Sequence, residues 1–197
     1  MSAAGSSVAG LILAAGESRR MGSPKALLPY RGETFLDKLC GLFAARCSLV
    51  IVVLGAGAEE IRARASRPAH FVVNRNYRSG QTSSMQCGLR AVPPEADGVL
   101  FTLVDHPAVT PATIEALTAP ATSVLLRVPR YQDRRGHPVW FSRALIDEFL
   151  ALPEDGAARE VVRSHADRTD FLDLDDPGIV ADIDDPEAYR ALIGARP

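Results

Sequence analysis

Short runs of apolar residues recur along this 197-residue chain, and segments with helical spacing or helix caps separate them. Strands are predicted at 8–13, 49–54, 70–73 and 99–104, where the residues are largely β-branched or otherwise apolar. Helices are predicted between them, at about 34–43, 58–67, 81–91 and 111–117. Because strands alternate with helices, the pattern predicts an α/β domain whose mainly parallel sheet is covered on both faces.

The last third of the chain has a less regular pattern. It predicts a strand at 123–128, a polar turn at 130–136 and a short strand at 139–141. Two helices follow, one capped by Ser142 and ending near 152, the other running from 156 or 157 to about 165. Edge strands are predicted at 171–174 and 179–183, and a closing helix at 186–193. The whole chain, 1–197, is predicted to form a single domain.

Composition excludes several classes of protein. The net charge is −2, so nothing draws the whole molecule towards nucleic acid or an anionic membrane. Three cysteines without a C-x-x-C spacing argue against a disulfide framework or a zinc site. The first apolar run is too short and too Gly-interrupted for a signal peptide or a membrane span. We therefore expect a cytoplasmic protein without nucleic-acid or membrane partners.

The first predicted strand passes directly into a Gly-rich basic loop that ends at Lys25. Small residues let backbone N–H groups approach an anion, and Arg20 and Lys25 supply positive charge. The spacing of Gly16 and Gly22 matches neither a P-loop nor a G-x-G-x-x-G fingerprint. This loop predicts a phosphate site; the alternative is a surface loop that is basic only for solubility.

Carboxylates and small polar residues follow other predicted strands. The carboxyl ends of parallel strands meet at one sheet edge, where α/β proteins bind ligands. Asp105 comes directly after a strand and, with Asp184 before the last helix, is a candidate ligand for Mg²⁺. The alternatives are a loop or cap role for Asp105 and ordinary surface charge for Asp184.

Small residues elsewhere suggest surfaces on which substrates could pack. Gly80, Ser84 and Gly88 lie near the start and along one side of a predicted helix, where a base or ribose could approach closely. Simple helix packing is the alternative, above all for Gly88. Gly136 and His137 lie in a polar loop and are candidates for contact with an acceptor substrate, or for plain packing and hydrogen bonding.

Together these segments resemble the MobA-like NTP transferases, most closely the molybdenum cofactor cytidylyltransferase branch. The resemblance is carried by Leu13-Ala14-Ala15-Gly16-x-Ser18-x-Arg20-Met21-Gly22-x-Pro24-Lys25, Asn74 through Gly80 into Ser84 and Gly88, Asp105-x-Pro107, Arg135-Gly136-His137-Pro138 and Asp182-Ile183-Asp184-x-Pro186. It implies a Rossmann-like three-layer sandwich of the nucleotide-diphospho-sugar transferase type. It also implies Mg²⁺-dependent transfer of CMP from CTP to molybdopterin carrying molybdenum, with release of pyrophosphate. A molybdenum hydroxylase apo-enzyme would receive the product.

The residue patterns and the resemblance together predict roles for individual residues; the resemblance itself implies those of Ala14 to Gly16, Lys25 and Asp105. Lys25, Arg20 and Asp105 would be catalytic, and Asp105 and Asp184 would bind the metal. Acceptor contacts would come from Gly136 and His137. Nucleotide contacts would come from Leu13, Ala14, Ala15, Gly16, Lys25, Asn74, Gly80, Ser84 and Gly88.

One departure from this branch leaves the substrates open. His106 follows Asp105 where the branch more often carries Gln. Transfer from GTP or another NTP, or to another phosphorylated acceptor such as a sugar or isoprenoid precursor, therefore remains an alternative. A non-catalytic carrier of the molybdenum cofactor is the alternative from a different class of protein.

Overall fold

The computed structural model describes residues 7–120, 123–153 and 156–194 of the chain. Its strands are β1 (Val8–Ala14), β2 (Pro29–Tyr30), β3 (Glu33–Thr34), β4 (Leu49–Leu54), β5 (His70–Val73), β6 (Gly98–Leu103), β7 (Leu126–Tyr131), β8 (Arg134–Arg135), β9 (Val139–Ser142) and β10 (Thr169–Asp173). Its α-helices are α1 (Phe35–Ala44), α2 (Ala58–Arg64), α3 (Gln81–Leu89), α4 (Pro111–Thr118), α5 (Ile146–Ala151), α6 (Ala158–Ser164) and α7 (Pro186–Gly194). None of these helices is long and apolar enough to cross a membrane.

One eight-stranded sheet forms the centre of the molecule. Its order is β10-β7-β9-β6-β1-β4-β5, with β8 paired to β7 as a hairpin. The pairs that β1 makes with β4 and β6 are parallel, as are the pairs β4–β5 and β7–β10. Among the described strands of this sheet, only β8 and β9 are antiparallel to their neighbours. Strand β9 lies between β6 and β7. The predicted mainly parallel α/β sheet is confirmed.

The central strands β1, β4 and β6 are almost wholly buried because helices cover both faces of the sheet. One apolar cluster joins the sheet to α1, α2, α4 and α7, and a second joins it to α3, α5 and α6. Alternate residues of β1 enter the two clusters: Ile12 packs in the first, whereas Leu11 and Leu13 pack in the second. This alternation follows from the two-residue period of a strand and produces the three-layer arrangement.

Helix caps explain several boundaries that the sequence predicts. The Thr110 side chain accepts a hydrogen bond from the Thr113 N–H, with Pro111 at the first helical position of α4. Asp185 accepts hydrogen bonds from the N–H groups of Glu187 and Ala188 at the start of α7. These side chains satisfy N–H groups that have no partner within the helix. The predicted caps at these two helices are confirmed.

Four local predictions are wrong. The fifth strand is β7, which continues through Tyr131, so the predicted polar turn is the end of a hairpin with β8. Residues 177–180 form a 3₁₀ turn instead of starting an edge strand. Helix α2 ends at Arg64, before its predicted end near residue 67. The Ser142 side chain accepts a hydrogen bond from the Ala144 N–H and caps a 3₁₀ turn that precedes α5.

Gly88 lies in the contact between α3 and the sheet. A Cβ built there would collide with Leu11 and would lie 2.7 Å from Val53 Cγ2. Both neighbours are buried sheet residues, so neither can yield without disturbing the core. Gly88 therefore allows close packing and does not line the cavity described below, which corrects its predicted nucleotide contact.

We predict that Gly88→Ala destabilises the protein by about 1–3 kcal/mol, because the added methyl overpacks the core. Gly41 in α1 is the matched control. Its Cβ would lie 3.7 Å from the flexible Arg67 guanidinium, an ordinary contact. Gly41→Ala should therefore stabilise the protein by about 0.5–1 kcal/mol through reduced chain entropy. Urea unfolding measures both values, and equal effects of the two substitutions would contradict the packing argument.

Candidate active site

A cavity of about 610 Å³ opens at the carboxyl ends of β1 and β6. The loop after β1 forms one wall, from Leu13 to Arg20, and Lys25 closes its end. Asp105 and Asp184 form the opposite wall, and residues of the 77–84 segment complete it. The structure therefore gathers at one place most of the residues that the sequence analysis assigns to nucleotide and metal.

The loop after β1 has a defined shape. The Ser18 hydroxyl accepts a hydrogen bond of 3.0 Å from the Lys25 N–H, and the Ser18 carbonyl accepts one of 2.9 Å from the Met21 N–H. The backbone N–H groups of residues 16–20 find no acceptor among the described residues. A Cβ at Gly16 would meet nothing within 4 Å, so the backbone there faces open space. Free N–H groups around an open concavity are a typical anion site.

Lys25 lies between two carboxylates. Its Nζ is 3.2 Å from Asp105 Oδ2 and also donates to Asp184, whose other oxygen is 3.1 Å from Arg20 Nη2. Only 12% of the Lys25 side chain is exposed. A short segment brings Asp184 here, because the Ile183 N–H donates to the Asp105 carbonyl over 3.1 Å. Phosphate oxygens entering this cavity would compete with the carboxylates for Lys25.

The pKa values follow from this pairing. Burial opposes the charge of Lys25, but the hydrogen bond to Asp184 and the charge of Asp105 outweigh it, so the pKa of the ammonium is raised. The hydrogen bond from Lys25 lowers the pKa of Asp184. Burial raises the pKa of Asp105, and Lys25 offsets only part of that shift. Asp105 therefore gains more than Asp184 from a further positive charge.

A second set of ligands surrounds the other oxygen of Asp105. Asp105 Oδ1 is buried without a hydrogen-bond partner, and His106 Nε2 lies 3.7 Å from it. Asp182 completes a group whose potential ligand atoms all lie within 4.8 Å of one another. Burial and the charges of Asp105 and Asp184 raise the pKa of Asp182 to about 6. A buried orphan oxygen among clustered acidic groups fits a divalent cation.

Asn74 holds the segment that precedes α3. Its amide donates 3.0 Å hydrogen bonds to the hydroxyls of Ser83 and Ser84, and its carbonyl oxygen accepts one from the Asn76 N–H. Asn74 is buried and does not line the cavity, so its predicted nucleotide contact is corrected to a supporting role. Gly80 and Ser84 do line the cavity, and Gly80 has a positive φ of 112° with open space where a Cβ would stand.

A second cavity of about 730 Å³ adjoins the first, and Gly80 and Gln81 line both. Gly136 and His137 lie in the wall of the second cavity. Its apolar surface comes from side chains of the sheet and of α3, α5 and α6. Exposed guanidinium groups line it too, from Arg135, Arg159 and Arg163. This cavity suits a molecule with an apolar body and a negative charge.

His137 connects this second cavity to the first. Its ring packs against that of His106, with centroids 4.9 Å apart and the planes tilted by 40°, and its backbone N–H donates to the Ile179 carbonyl over 2.9 Å. Burial lowers the pKa of His137 to about 3, with a further contribution from His106. Burial and Lys25 lower the pKa of His106 to about 4. Both imidazoles are therefore neutral at pH 7.

Sequence reasoning missed several residues that line these cavities. Tyr77, Arg78 and Gln81 face the first cavity, and Arg159 and Arg163 face the second. The alternation of Asp182 and Asp184 around Ile183 was a usable signal, because both carboxylates lie near Asp105. The arginines of α6 gave no signal, since nothing local distinguishes them from surface charge.

Residues 10–169 match the family model of the MobA-like NTP transferase domain, and the chain belongs to this family of nucleotidyltransferases. The chain is 34% identical to nicotine blue oxidoreductase of Paenarthrobacter nicotinovorans, over 94% of this chain and 96% of the relative. It is 24% identical to molybdenum cofactor cytidylyltransferase of Escherichia coli K12, covering 91% and 92%. A probable molybdenum cofactor guanylyltransferase of Mycobacterium avium is 29% identical, covering 96% of both.

The fold is also found in solved structures. Rv0371c from Mycobacterium tuberculosis H37Rv superposes with a TM-score of 0.85 and 32% identity, over 97% of this chain and 100% of that one. A second structure of that protein is a complex with manganese, with a TM-score of 0.81 and 31% identity over 96% and 100%. The predicted family and its nucleotidyltransferase type of fold are confirmed.

We predict that the buried histidines make the protein less stable in acid. Below the ordinary value of 6.5 an unfolded histidine binds a proton, whereas His137 in the folded protein does so only near pH 3. Stability should therefore fall as the pH drops from about 6.5, by about 1.4 kcal/mol per pH unit for each such histidine. His137→Gln should lessen this slope by about that amount between pH 6 and 4.

Urea unfolding at a series of pH values measures the slope. His70→Gln is the control, because the His70 side chain is exposed. Equal slopes in wild type and His137→Gln would show that His137 binds its proton at the same pH in the folded and the unfolded protein, which would contradict the prediction.

Proposed function

We propose that the protein is a divalent-metal-dependent nucleotidyltransferase that moves CMP from CTP to a phosphorylated pterin and releases pyrophosphate. The observation that carries this proposal is the juxtaposition of free loop N–H groups, Lys25 and Asp105 around one cavity that adjoins a second. These are the groups that hold and neutralise phosphates.

In this proposal the loop N–H groups bind the phosphates and the cations neutralise their charge. The N–H groups of residues 16–20 hold the phosphates of the nucleotide, and Arg20 and Lys25 neutralise negative charge as pyrophosphate leaves. The acceptor phosphate is already anionic near neutral pH, so the protein has to position it in line and needs no strong base. The buried, neutral histidines nearby are consistent with this absence of proton transfer.

Lys25 must change partners during this reaction. Without nucleotide, its Nζ is shared by Asp105 and Asp184. A triphosphate in the cavity offers oxygens of higher negative charge, so the ammonium turns towards them. Asp105, whose Oδ1 has no partner among the described residues, would then be available to hold a divalent cation. A divalent ion held there would neutralise charge on the reacting phosphate, and the manganese complex of the M. tuberculosis relative supports a metal in this family.

The second cavity receives the acceptor in this proposal. Gly80 and Gln81 line both cavities, so two substrates bound in them would lie side by side. Apolar side chains suit a flat heterocycle, and Arg135, Arg159 and Arg163 suit its phosphate. His137 and Gly136 lie in the wall between this cavity and the carboxylates.

The choice of CTP and a pterin rests on sequence similarity. Relatives named as cytidylyl- and guanylyltransferases of the molybdenum cofactor match almost the whole chain. The segments Arg135 to Pro138 and Asp182 to Pro186 resemble the cytidylyl branch, which supports CTP. We propose Mg²⁺ or Mn²⁺ as cofactor and a molybdenum hydroxylase apo-enzyme as recipient of the product.

The principal test is pyrophosphate release from CTP, GTP, ATP and UTP with a molybdopterin acceptor. We expect release from CTP. Lys25→Met and Asp105→Asn should each lower kcat by about 10²–10³-fold, because each removes charge stabilisation in the transition state. Lys38→Met is the matched control, since that lysine lies beside the Tyr30 ring, away from both cavities.

Other outcomes would redirect the proposal. Release from GTP would keep the chemistry and change the nucleotide, whereas release only with a sugar or isoprenoid phosphate would change the acceptor. Consumption of a reduced nicotinamide cofactor without pyrophosphate release would favour the activity named for the Paenarthrobacter relative. Binding of pterin and maturation of an apo-enzyme without consumption of CTP would favour a carrier.

We predict that Arg159→Ala and Arg163→Ala each raise KM for the acceptor about tenfold, the loss expected for one exposed charge–phosphate contact. KM for the nucleotide should stay unchanged, because these arginines line only the second cavity. Arg62→Ala on α2 is the control, since that exposed arginine lines neither cavity. A rise in nucleotide KM instead would place the nucleotide in the second cavity.

A further inference from the structure

Asp105 uses its two oxygens differently. Oδ2 faces Lys25 at 3.2 Å, whereas Oδ1 is buried and has no hydrogen-bond partner among the described residues. A buried carboxylate oxygen without a partner loses its hydration without compensation. Oδ1 is therefore the oxygen of Asp105 that is available to another ligand.

Asp184 faces the other way. Its two oxygens pair with Lys25 and with Arg20, so its charge is already matched by two cations. The predicted pair of metal ligands, Asp105 and Asp184, is thus bridged by the ammonium of Lys25 in this structure. Asp184 is the less suitable of the two neighbouring carboxylates for a cation bound at Oδ1.

His106 occupies the free side of Asp105. The residue is 6% exposed, and its Nε2 lies 3.7 Å from Asp105 Oδ1. The backbone N–H of His106 donates to the Leu103 carbonyl, and the imidazole ring packs against that of His137 with centroids 4.9 Å apart. An imidazole nitrogen that faces a carboxylate oxygen is a common metal ligand.

We propose that His106 binds the divalent cation of the transfer reaction through Nε2, together with Asp105 and Asp182, and that this nitrogen makes the site prefer Mn²⁺ to Mg²⁺. The inference rests on the proposed function for the role of the ion, but not for the presence of the site.

The distances suit one ion. Two atoms bound to an octahedral cation lie roughly 3 Å apart in adjacent positions and roughly 4 Å apart in opposite ones. The 3.7 Å between His106 Nε2 and Asp105 Oδ1 falls in this range, and one ligand atom from each of Asp105, His106 and Asp182 lies within 4.8 Å of the other two. Small side-chain rotations would bring all three onto one cation.

The donor set decides the preference. Mg²⁺ is a hard cation that takes oxygen ligands and keeps several waters. Imidazole nitrogen binds first-row transition metals more readily, and affinity rises from Mn²⁺ through Co²⁺. Replacing one oxygen ligand by a histidine nitrogen therefore weakens the site for Mg²⁺ relative to Mn²⁺.

The test is Mn²⁺ binding to the full chain without nucleotide, followed by electron paramagnetic resonance, with Mg²⁺ as competitor. We expect binding of Mn²⁺ that Mg²⁺ displaces only in large excess. Pulsed measurements should show coupling of the bound Mn²⁺ to ¹⁴N, which changes to ¹⁵N coupling when the protein carries ¹⁵N-labelled histidine. This readout needs no variant and no substrate.

Variants identify the ligands. His106→Gln should remove the nitrogen coupling and weaken Mn²⁺ binding by more than roughly tenfold, the least that loss of a supporting residue causes at many metal sites. Asp182→Asn should weaken binding as well, whereas Asp184→Asn should keep the nitrogen coupling. His70→Gln, at an exposed histidine, is the control, and circular dichroism reports whether each variant is folded.

The proposal is overturned by absence of Mn²⁺ binding, by bound Mn²⁺ without nitrogen coupling, or by coupling that survives in folded His106→Gln. The pyrophosphate assay is a separate measurement on the same protein. Transfer activity without nitrogen coupling would overturn the role of His106 alone, and nitrogen coupling without transfer would overturn the proposed function alone.

Discussion

The parallel pairing of β1 with both β4 and β6 is the constraint on which the rest of this structure depends. Every residue of β1 is buried, and its two faces enter the two apolar clusters, so the strand has a single possible register. Its last residues carry the Gly-rich loop, and the Val104 N–H donates to the Leu13 carbonyl over 3.0 Å. That bond connects the strand end that carries the loop to the strand end that carries Asp105. The core therefore positions both the N–H groups of the loop and the carboxylate of Asp105.

The charges at this edge balance one another in pairs. Asp105 is buried and would be unfavourable alone, but Lys25 lies beside one of its oxygens. Lys25 is in turn shared with Asp184, and Arg20 supports Asp184 from solvent. An arrangement of this kind can exchange partners without leaving a bare charge in the interior, provided that each cation is replaced by another. A nucleotide arriving with a metal ion satisfies this condition, because it brings both the anion that Lys25 needs and the cation that Asp105 needs.

How much the sequence could predict depends on where the stabilising contacts come from. The loop after β1 and Asp105 were predictable, because each follows a buried strand within a few residues. Residues 177–180 were not, because Asp176 accepts hydrogen bonds from the Thr110 N–H and from the hydroxyls of Thr110 and Thr113, which draw that segment onto the start of α4. Apolar residues that sequence alone reads as a strand, such as Ile179, are buried there by a turn. The arginines of the second cavity depend on how α6 lies against the sheet, which no local pattern records.

His106 lies between Asp105, which lines the first cavity, and His137, which lines the second. Its ring faces the Asp105 oxygen on one side and packs against His137, in the wall of the second cavity, on the other. A side chain in this position touches both the carboxylate end of the nucleotide cavity and the wall that an acceptor would contact. Gln, which the related branch more often carries, has a similar reach but no aromatic face to pack against His137. Replacing His106 by Gln would therefore change the ligand atom beside Asp105. It would also remove the ring that supports His137 in the wall of the second cavity. In the proposed function, His106 therefore affects both the binding of the metal ion and the fit of the acceptor.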